Sequence, residues 1–513
     1  MSESRVSTWR SSVDERLTEV ITFEGCPELL RGSRVTTVLR CGGRLFQNSK
    51  GSAATYKLSS VVTKIETFIS HNWCVPRWKK YLCLALHFNA FTAVLVTLIV
   101  MLAFSMLSAF GFVPVVQLSE RPVPEGFLIK FTCVPTFLGV LLLAPDFLRC
   151  WSRCNPICFL DKTCIHQEDK GIQRRGIQRL GAFLAHSDSM VIIYTDVYLT
   201  KLWTVYEVAS FLALHSVEQM WVMPTLMPQI VVFGLVLFYL SGVIGFVLWS
   251  FTGFLYAIEC AVLLLLYVFV LAIRAWARSR AAIYTSLEAF SSRACTCFDE
   301  ADRPIIYNNI AELMKQVHGL AADSSEEVAL DAFDDMVKLE LAKALSKSLG
   351  TYSLRYCHTL MISVPAFMPF CLDEIAGFAH GMSTKYFANS VFLWVTLCFA
   401  ITPAVLASID SIARRFLHLK GWREQLWLML SFALLLVPMF GAFYGLYSLR
   451  LWGEASDTGT VVFASTCTVL CCFAFSWLDP TLSRISRCGP KDNSTATAEE
   501  VGSELEDKGE IYV

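Results

Sequence analysis

Glu207 lies one turn beyond Trp203, so a carboxyl group and an indole ring share one helix face. Upstream, short polar runs follow stretches rich in β-branched and aromatic residues: Ser70, His71 and Asn72 after Thr63–Ser70, Asp161 and Lys162 after Pro156–Asp161, and Asp196 after Met190–Thr195. If those stretches are strands of one open parallel sheet, the polar residues gather outside its carboxyl ends, where such sheets bind ligands. A second kind of chemistry rests on Glu259, the acidic residue near the middle of a long apolar block. A carboxyl group at that depth serves ion or proton paths. His87 and Asn89 are the other polar residues well inside such a block. A third grouping is Cys150, Cys154, Cys158, Cys164 and His166. It spreads over a helix end and a strand instead of following the paired cysteine spacing of structural zinc sites, so no metal is assigned; Cys295 and Cys297 have no second pair nearby.

The elements that must position these groups are of two kinds. Of 513 residues, 55% are hydrophobic and 17% charged, and the mean hydropathy is +0.51. Soluble domains carry about 25% charged residues. The deficit falls in long blocks, which read as about eight bilayer spans of roughly 20 residues each: Leu82–Phe112, Phe127–Phe147, Ile230–Trp249, Phe251–Ile273, Leu354–Leu372, Ser390–Ile409, Leu426–Leu446 and Val461–Leu478. The fifth contains His358, Pro365 and Pro369 and reads as kinked or re-entrant. Lys and Arg collect in alternate connections, Arg149 to Lys201, Arg274 to Arg303, Arg414 to Arg423 and Arg484 to Lys491. That bias orients the set as four hairpins with both termini and both large soluble segments in the cytoplasm. No uninterrupted apolar core follows Arg5, Arg10 and Arg16, so the block after Tyr81 is expected to serve as the insertion signal. The net charge of −1 gives no electrostatic ground for a nucleic-acid partner. Many of the 19 cysteines sit in apolar blocks, where a thiol packs as a small hydrophobe. Beyond Pro490 the chain is acidic and rich in Ser and Thr, the composition of a disordered tail.

Between the apolar blocks, strand and helix patterns alternate. After the strand at Met190–Thr195 and the helix at Gly171–His186 come a helix at Trp203–Leu214 and a short strand ending at Val222-Met223-Pro224. Strands alternating with helices imply a parallel sheet. The string Phe68-Ile69-Ser70, Phe159-Leu160-Asp161, Ser187, Met190–Tyr194, Tyr198 and Trp203-Thr204-Val205-Tyr206-Glu207-Val208 resembles a TIR (Toll/interleukin-receptor) domain over roughly a quarter of the chain. That resemblance implies a small flavodoxin-like cytoplasmic sheet, signalling through self-association or with a TIR-type partner, and in some members cleavage of the nicotinamide–ribose bond of NAD. By the same resemblance Glu207 matches the catalytic glutamate, with Trp203 stacking on a flat ring and Ser70, His71 and Asp161 lining the ligand. Cleaving an N-glycosidic bond builds positive charge on the ribose, which a fixed carboxylate stabilises. The chain departs from the family pattern in three places. A membrane hairpin separates the first two strands, Thr204 stands where plant-type members often carry Cys, and the chain enters the membrane at Ile230 before a last strand and helix.

The expected organisation is therefore a polytopic α-helical membrane protein with a small cytoplasmic α/β unit. It comprises an N-terminal segment (1–60), a first strand (61–81), a membrane hairpin (82–147), the rest of the TIR-like unit (148–228), a second hairpin (229–273), a cytoplasmic helical segment (274–353), further spans (354–479) and the acidic tail (480–513). The helical segment carries apolar stripes at Ala332, Met336 and Leu339 and at Phe333, Val337, Leu341 and Leu345, and reads as a hairpin packed on the membrane domain. No Gly-rich phosphate loop, HExxH motif or solenoid repeat is present in the sequence. The alternative functional class is a transporter or channel centred on Glu259, with the sheet unit regulatory. No resident cofactor is called for, and NAD enters as a substrate.

Overall fold

The computed structural model describes residues 21–115, 126–147, 155–252, 255–297, 300–317, 319–321, 323–349, 356–429 and 454–478, with the isolated positions 445, 448 and 451. Side chains of residues 245–266 lie outside the description. In chain order the elements are β1 (Arg31–Arg34), α1 (Val35–Gly43), α2 (Ala53–Tyr56), β2 (Ser60–Val61), β3 (Ile65–Ser70), α3 (Arg77–Ala109), α4 (Phe127–Phe147) and β4 (Ile157–Phe159). They continue with α5 (Asp161–Cys164), α6 (Lys170–Gln178), α7 (Leu180–Ala185), β5 (Ser187–Tyr194), α8 (Leu202–Leu214) and β6 (Met220–Pro224). The remainder is helical: α9 (Leu226–Thr252), α10 (Leu255–Glu288), α11 (Arg303–Val317), α12 (Glu326–Leu349), α13 (Tyr356–Ala379), α14 (Thr384–Thr396), α15 (Thr402–Arg415) and α16 (Asp457–Leu478).

The sheet is six-stranded, in the order β2-β1-β4-β3-β5-β6. It is mixed, where the sequence pattern led us to expect a purely parallel one. Strands β4, β3, β5 and β6 run parallel, as read from the sequence, while β1 pairs antiparallel to both β4 and β2. The two added strands come from the N-terminal segment. They are short and polar, with Arg31, Ser33 and Arg34 in one and Ser60 in the other, so no hydrophobic alternation marks them.

Burial on both faces explains the apolar character of the central strands. On β5 the side chains alternate between the two faces: Met190, Ile192 and Tyr194 join one core and Val191 and Ile193 the other. Phe68 stacks on Phe159 with ring centroids 4.5 Å apart, and Phe159 meets Phe183 at 4.5 Å, which ties β3 and β4 to α7. The opposite face is covered by Val35, Val38 and Leu39 of α1 and by Tyr81, Leu84 and Ala85 at the start of α3.

That last contact defines the architecture. Helix α3 begins against the sheet and runs on without a break for 33 residues, about 50 Å. The connection from β3 to β4 is thus a hairpin of two long apolar helices, α3 and α4, in the position of a crossover helix. The hairpin is held by the Tyr81 hydroxyl donating to the Leu142 carbonyl and by Asn89 Nδ2 donating to Leu141 O at 3.0 Å.

Four helices among the described residues are long and apolar enough to cross a membrane: Arg77–Ala109, Leu128–Phe147, Tyr356–Ala379 and Thr384–Arg415. The expectation of about eight spans is coarser in outcome. The third and fourth expected spans fall in α9 and α10 and the eighth in α16, while most of Leu426–Leu446 lies outside the described residues. Helix α13 carries Pro365 and Pro369 within one continuous helix that reaches Ala379, so the fifth expected span extends beyond Leu372. The fourth candidate span is interrupted by a π-helical turn at Leu397–Ile401, just before Pro403, whose missing N–H and ring volume disrupt the regular ladder.

The helical segment after α10 packs on the sheet unit as well as on the membrane helices. Helix α12 lies along the outer edge of β6, where Ser348 Oγ accepts from Val222 N at 2.9 Å. A side chain thereby satisfies a backbone donor on an otherwise open strand edge. Leu339, which the stripe pattern assigned to a buried face, is exposed, and the buried face is Phe333, Val337, Leu341 and Leu345.

Candidate functional site

The parallel strands end together, and the polar residues that follow them meet. Ser70 is the last residue of β3 and is fully buried. Its hydroxyl donates to Glu207 Oε2 at 2.5 Å and accepts from the Tyr198 hydroxyl at 2.5 Å. Glu207 is carried by α8, and the orientation of that helix is fixed at its start by Thr204. The Thr204 hydroxyl bonds Tyr198 O at 2.6 Å and Lys201 O at 2.9 Å, locking the turn at Tyr198–Thr200 to the first turn of the helix. Tyr198 is therefore brought under Glu207 by local hydrogen bonding and not by a long-range contact.

Burial dominates the electrostatics. It pushes the Glu207 carboxyl up to about 8; the Ser70 hydrogen bond opposes this and the Asp161 charge adds to it. Glu207 is thus mostly neutral at pH 7. Burial also raises the Tyr198 phenol, with Glu207 adding to the effect. Asp161 is raised by burial too, against the pull of the Trp73 indole, its own backbone contact at Lys162, and the Lys80 and Lys162 charges. The Trp73 Nε1–H donates to Asp161 Oδ2 at 2.8 Å.

Beside Asp161 lies a group that the sequence reading did not assemble. The Lys80 ammonium is buried, 4.4 Å from the centre of the Trp73 ring and 5.7 Å from that of Phe46. It accounts for part of the lowering of His71, whose imidazole is held neutral first by burial and then by the Lys80 charge. Lys80 Nζ, Asn72 Nδ2 and His71 Nε2 are all buried and have no hydrogen-bond partner among the described residues. Buried polar atoms are satisfied in most proteins, so three at one strand end mark a place suited to a polar or anionic ligand. The signal available in the sequence was the pair Lys79-Lys80 just ahead of the first apolar block, which reads as an interfacial flank and not as an inward-pointing charge.

The candidate residues divide accordingly. Ser70, His71, Asp161 and Glu207 come together at the carboxyl ends of the strands. Trp203 sits at the rim, half-buried and edge-on to Tyr206 at 6.0 Å. Lys162 turns away, its ammonium donating to Leu45 O, Asn48 O and Asn48 Oδ1. Asp196 is exposed and joins nothing in the cluster. Glu259 belongs to α10, and its side chain lies outside the described residues. Of the cysteine grouping, Cys150 and Cys154 lie outside the described residues. Cys158 and Cys164 are buried thiols in the sheet core, the latter pushed up to about 11 by burial.

The membrane helices carry a second polar group. Lys130 of α4 pairs with Asp373 of α13 at 3.0 Å, and Asp373 Oδ1 also accepts from Gly126 N at 2.6 Å. The neighbouring Glu374 accepts from the Trp394 indole at 3.0 Å. The sequence reading ended the fifth span at Leu372 and so left both acids outside it; the helix continues past them. Compared with known protein families, with curated proteins and with solved structures, the chain matches none.

Proposed function

We propose that the chain is a multi-pass membrane protein whose cytoplasmic sheet unit is TIR-like, signals by self-association, and cleaves the nicotinamide–ribose bond of NAD with Glu207. The observation that carries this reading is the Tyr198–Ser70–Glu207 hydrogen-bond chain at the carboxyl edge of the parallel strands, with Tyr198 and Ser70 buried and Glu207 partly exposed. Those strands lie in the order second, first, third, fourth, which is the flavodoxin-like order with its ligand site at the strand ends. The unused donors of Lys80 and Asn72 at the same edge suit the phosphates of a dinucleotide, and the half-buried Trp203 at the rim suits a flat ring.

In the reaction, the bond from the ribose anomeric carbon to the nicotinamide nitrogen breaks, the electron pair leaves with the now neutral nicotinamide, and water adds to the anomeric carbon and releases one proton to solvent. Glu207 in its ionised form stabilises the cationic sugar, and Ser70 holds the carboxylate oxygen in place. Glu207 and Trp203 are partly exposed at the rim, and self-association completes the site around them. The neutral state of Glu207 at pH 7 sets the pH profile: turnover rises with pH and levels off above about 8.

The experiment is NAD consumption by the detergent-purified protein, wild type against Glu207→Ala, at concentrations that permit self-association. The expected result is a loss of at least about 100-fold in the variant, typical of removing a preorganised charge-stabilising group. Absence of turnover in the wild type, or equal turnover in the variant, sinks the enzymatic reading.

The orientation is tested separately. Glycosylation sequons introduced near Pro122 or Gly453 are expected to be modified, and sequons near Lys170 or Lys315 are not. The reverse pattern puts the sheet unit on the wrong side of the membrane for cytoplasmic signalling. A transporter or channel is the second reading, favoured by the Lys130–Asp373 pair between apolar helices and by Asn389, whose buried side-chain amide has no hydrogen-bond partner among the described residues. Loss of a transport current in Glu259→Gln, with NAD turnover unchanged, would select it.

A further inference from the structure

On the far side of Lys162 from Glu207, the N-terminal segment builds a cavity of about 580 Å³. Four cationic residues line it, Arg40, Arg44, Lys50 and Lys162, and no acid does. Arg40, Arg44 and Lys50 are exposed, and none of the three is in an ion pair among the described residues. The Lys162 ammonium forms part of the wall while spending its donors on Leu45 O, Asn48 O and Asn48 Oδ1. Four like charges around one concavity repel, and that arrangement persists at least cost when an anion occupies it.

The loop that presents two of these charges is strained. Cys41, Gly42 and Gly43 are successive left-handed residues, at φ +51°, +62° and +65°. Cys41 is the one non-glycine among the described residues with positive φ, a conformation that costs free energy and is found where function requires it. A Cβ at Gly43 would meet Phe46 at 3.2 Å and Tyr81 at 3.3 Å. The turn is clamped by the membrane hairpin: Arg77 Nε donates to Gly42 O at 2.9 Å, Arg77 Nη2 donates to Cys41 O at 3.0 Å, and Cys41 N donates to Asp146 Oδ1 at 2.9 Å. The left-handed turn reverses the chain between Arg40 and Arg44, so both side chains reach the same cavity.

The clamp also fixes the depth of the cavity. Arg77 opens the first candidate span and Asp146 closes the second. Trp78, next in the chain, is half exposed, as interfacial tryptophans are. The cavity therefore sits at the end of the hairpin that packs against the sheet.

We propose that this cavity is a phosphate-monoester site. Its ligand carries two or more phosphate groups, either on a lipid headgroup in the adjoining leaflet or on a soluble polyphosphate. The site is separate from the Glu207 cluster and does not rest on NAD cleavage.

The test uses full-length protein at physiological salt. One arm titrates protein in phosphatidylcholine nanodiscs with and without phosphatidylinositol bisphosphate. A second arm titrates detergent-purified protein with soluble inositol trisphosphate, and inorganic phosphate is the low-charge comparison. Arg40→Gln with Arg44→Gln is expected to weaken binding about 30-fold, two juxtamembrane charges' worth. The pair Lys57→Gln with Arg174→Gln removes equal charge at exposed positions outside the cavity and is expected to leave binding unchanged. A measurement on unmodified protein guards against misfolded variants: ligand should slow maleimide labelling of Cys41, in the cavity wall, but not of the exposed Cys74. Binding in the nanodisc arm assigns a lipid ligand, and binding in the soluble arm alone assigns a free one. No binding in either arm, equal weakening in both charge pairs, or Cys41 labelling indifferent to ligand overturns the proposal.

Discussion

Glu207→Gln is expected to make the sheet unit more stable at high pH and to remove most of its pH dependence. An unfolded glutamate releases its proton near pH 4.3. In the fold, burial holds that proton until about pH 8. Between those values the unfolded chain binds fewer protons than the native one, so native stability falls as pH rises, by about 1.4 kcal/mol per unit for a single group. The loss starts near the unfolded value, is complete once pH passes about 8, and accumulates to several kcal/mol by then. Glutamine keeps an oxygen to accept from Ser70 and never ionises, so the variant escapes the penalty. His71 works in the opposite sense, since a buried neutral imidazole costs stability as pH falls. It is common to both proteins and cancels in the difference. Thermal melts from about pH 5 to about pH 9 check this: the gap between variant and wild type should widen with pH, and parallel curves would refute the burial of an ionisable group at this position.

The second large effect is expected in the membrane. Lys130→Met leaves Asp373 buried without its cationic partner. Breaking a buried pair from one side costs about 3–5 kcal/mol, because the remaining charge keeps its desolvation penalty. Asp373→Asn should be milder, since the amide oxygen still accepts from Gly126 N, and Lys130→Met combined with Asp373→Asn should recover much of the loss. Detergent melts of the three variants measure the coupling. Additive losses would mean that the two side chains do not depend on one another, contrary to a pair held at 3.0 Å.

The sequence was most legible where a single periodicity ruled. The strands at Ile65–Ser70 and Ser187–Tyr194 and the helix at Leu202–Leu214 are close to their expected bounds because both sheet faces are buried and most residues of the strand cores between them are apolar, Glu66 and Thr67 excepted. Ser70 and Asp161 were placed by the strand ends, whereas Glu207, on a helix, was joined to them only by the resemblance. Strands β1 and β2 escaped because an added edge strand needs only backbone pairing, and Ser60 and Arg31 leave no hydrophobic trace. Lys80 escaped because charge beside an apolar block has two structural uses, flanking the bilayer or filling a ligand site, and composition does not separate them. The helix expected at Gly171–His186 divides at Arg179, whose backbone leaves the helical region between Gly176 and Gly181, two glycines that the apolar spacing alone passed over.

The hairpin inside the sheet also orders the birth of the protein. Strand β3 sits between β4 and β5, and both neighbours are translated after α3 and α4. When β3 leaves the ribosome it has no parallel partner, and none arrives until the hairpin has been made. The sheet unit is therefore completed only downstream of the hairpin: a nascent chain whose first hairpin fails to insert carries two long apolar helices between strands that must pair. Correct insertion is in this sense a checkpoint for the sheet unit, and lesions in the hairpin should appear as degradation of the whole chain, with no free sheet fragment surviving.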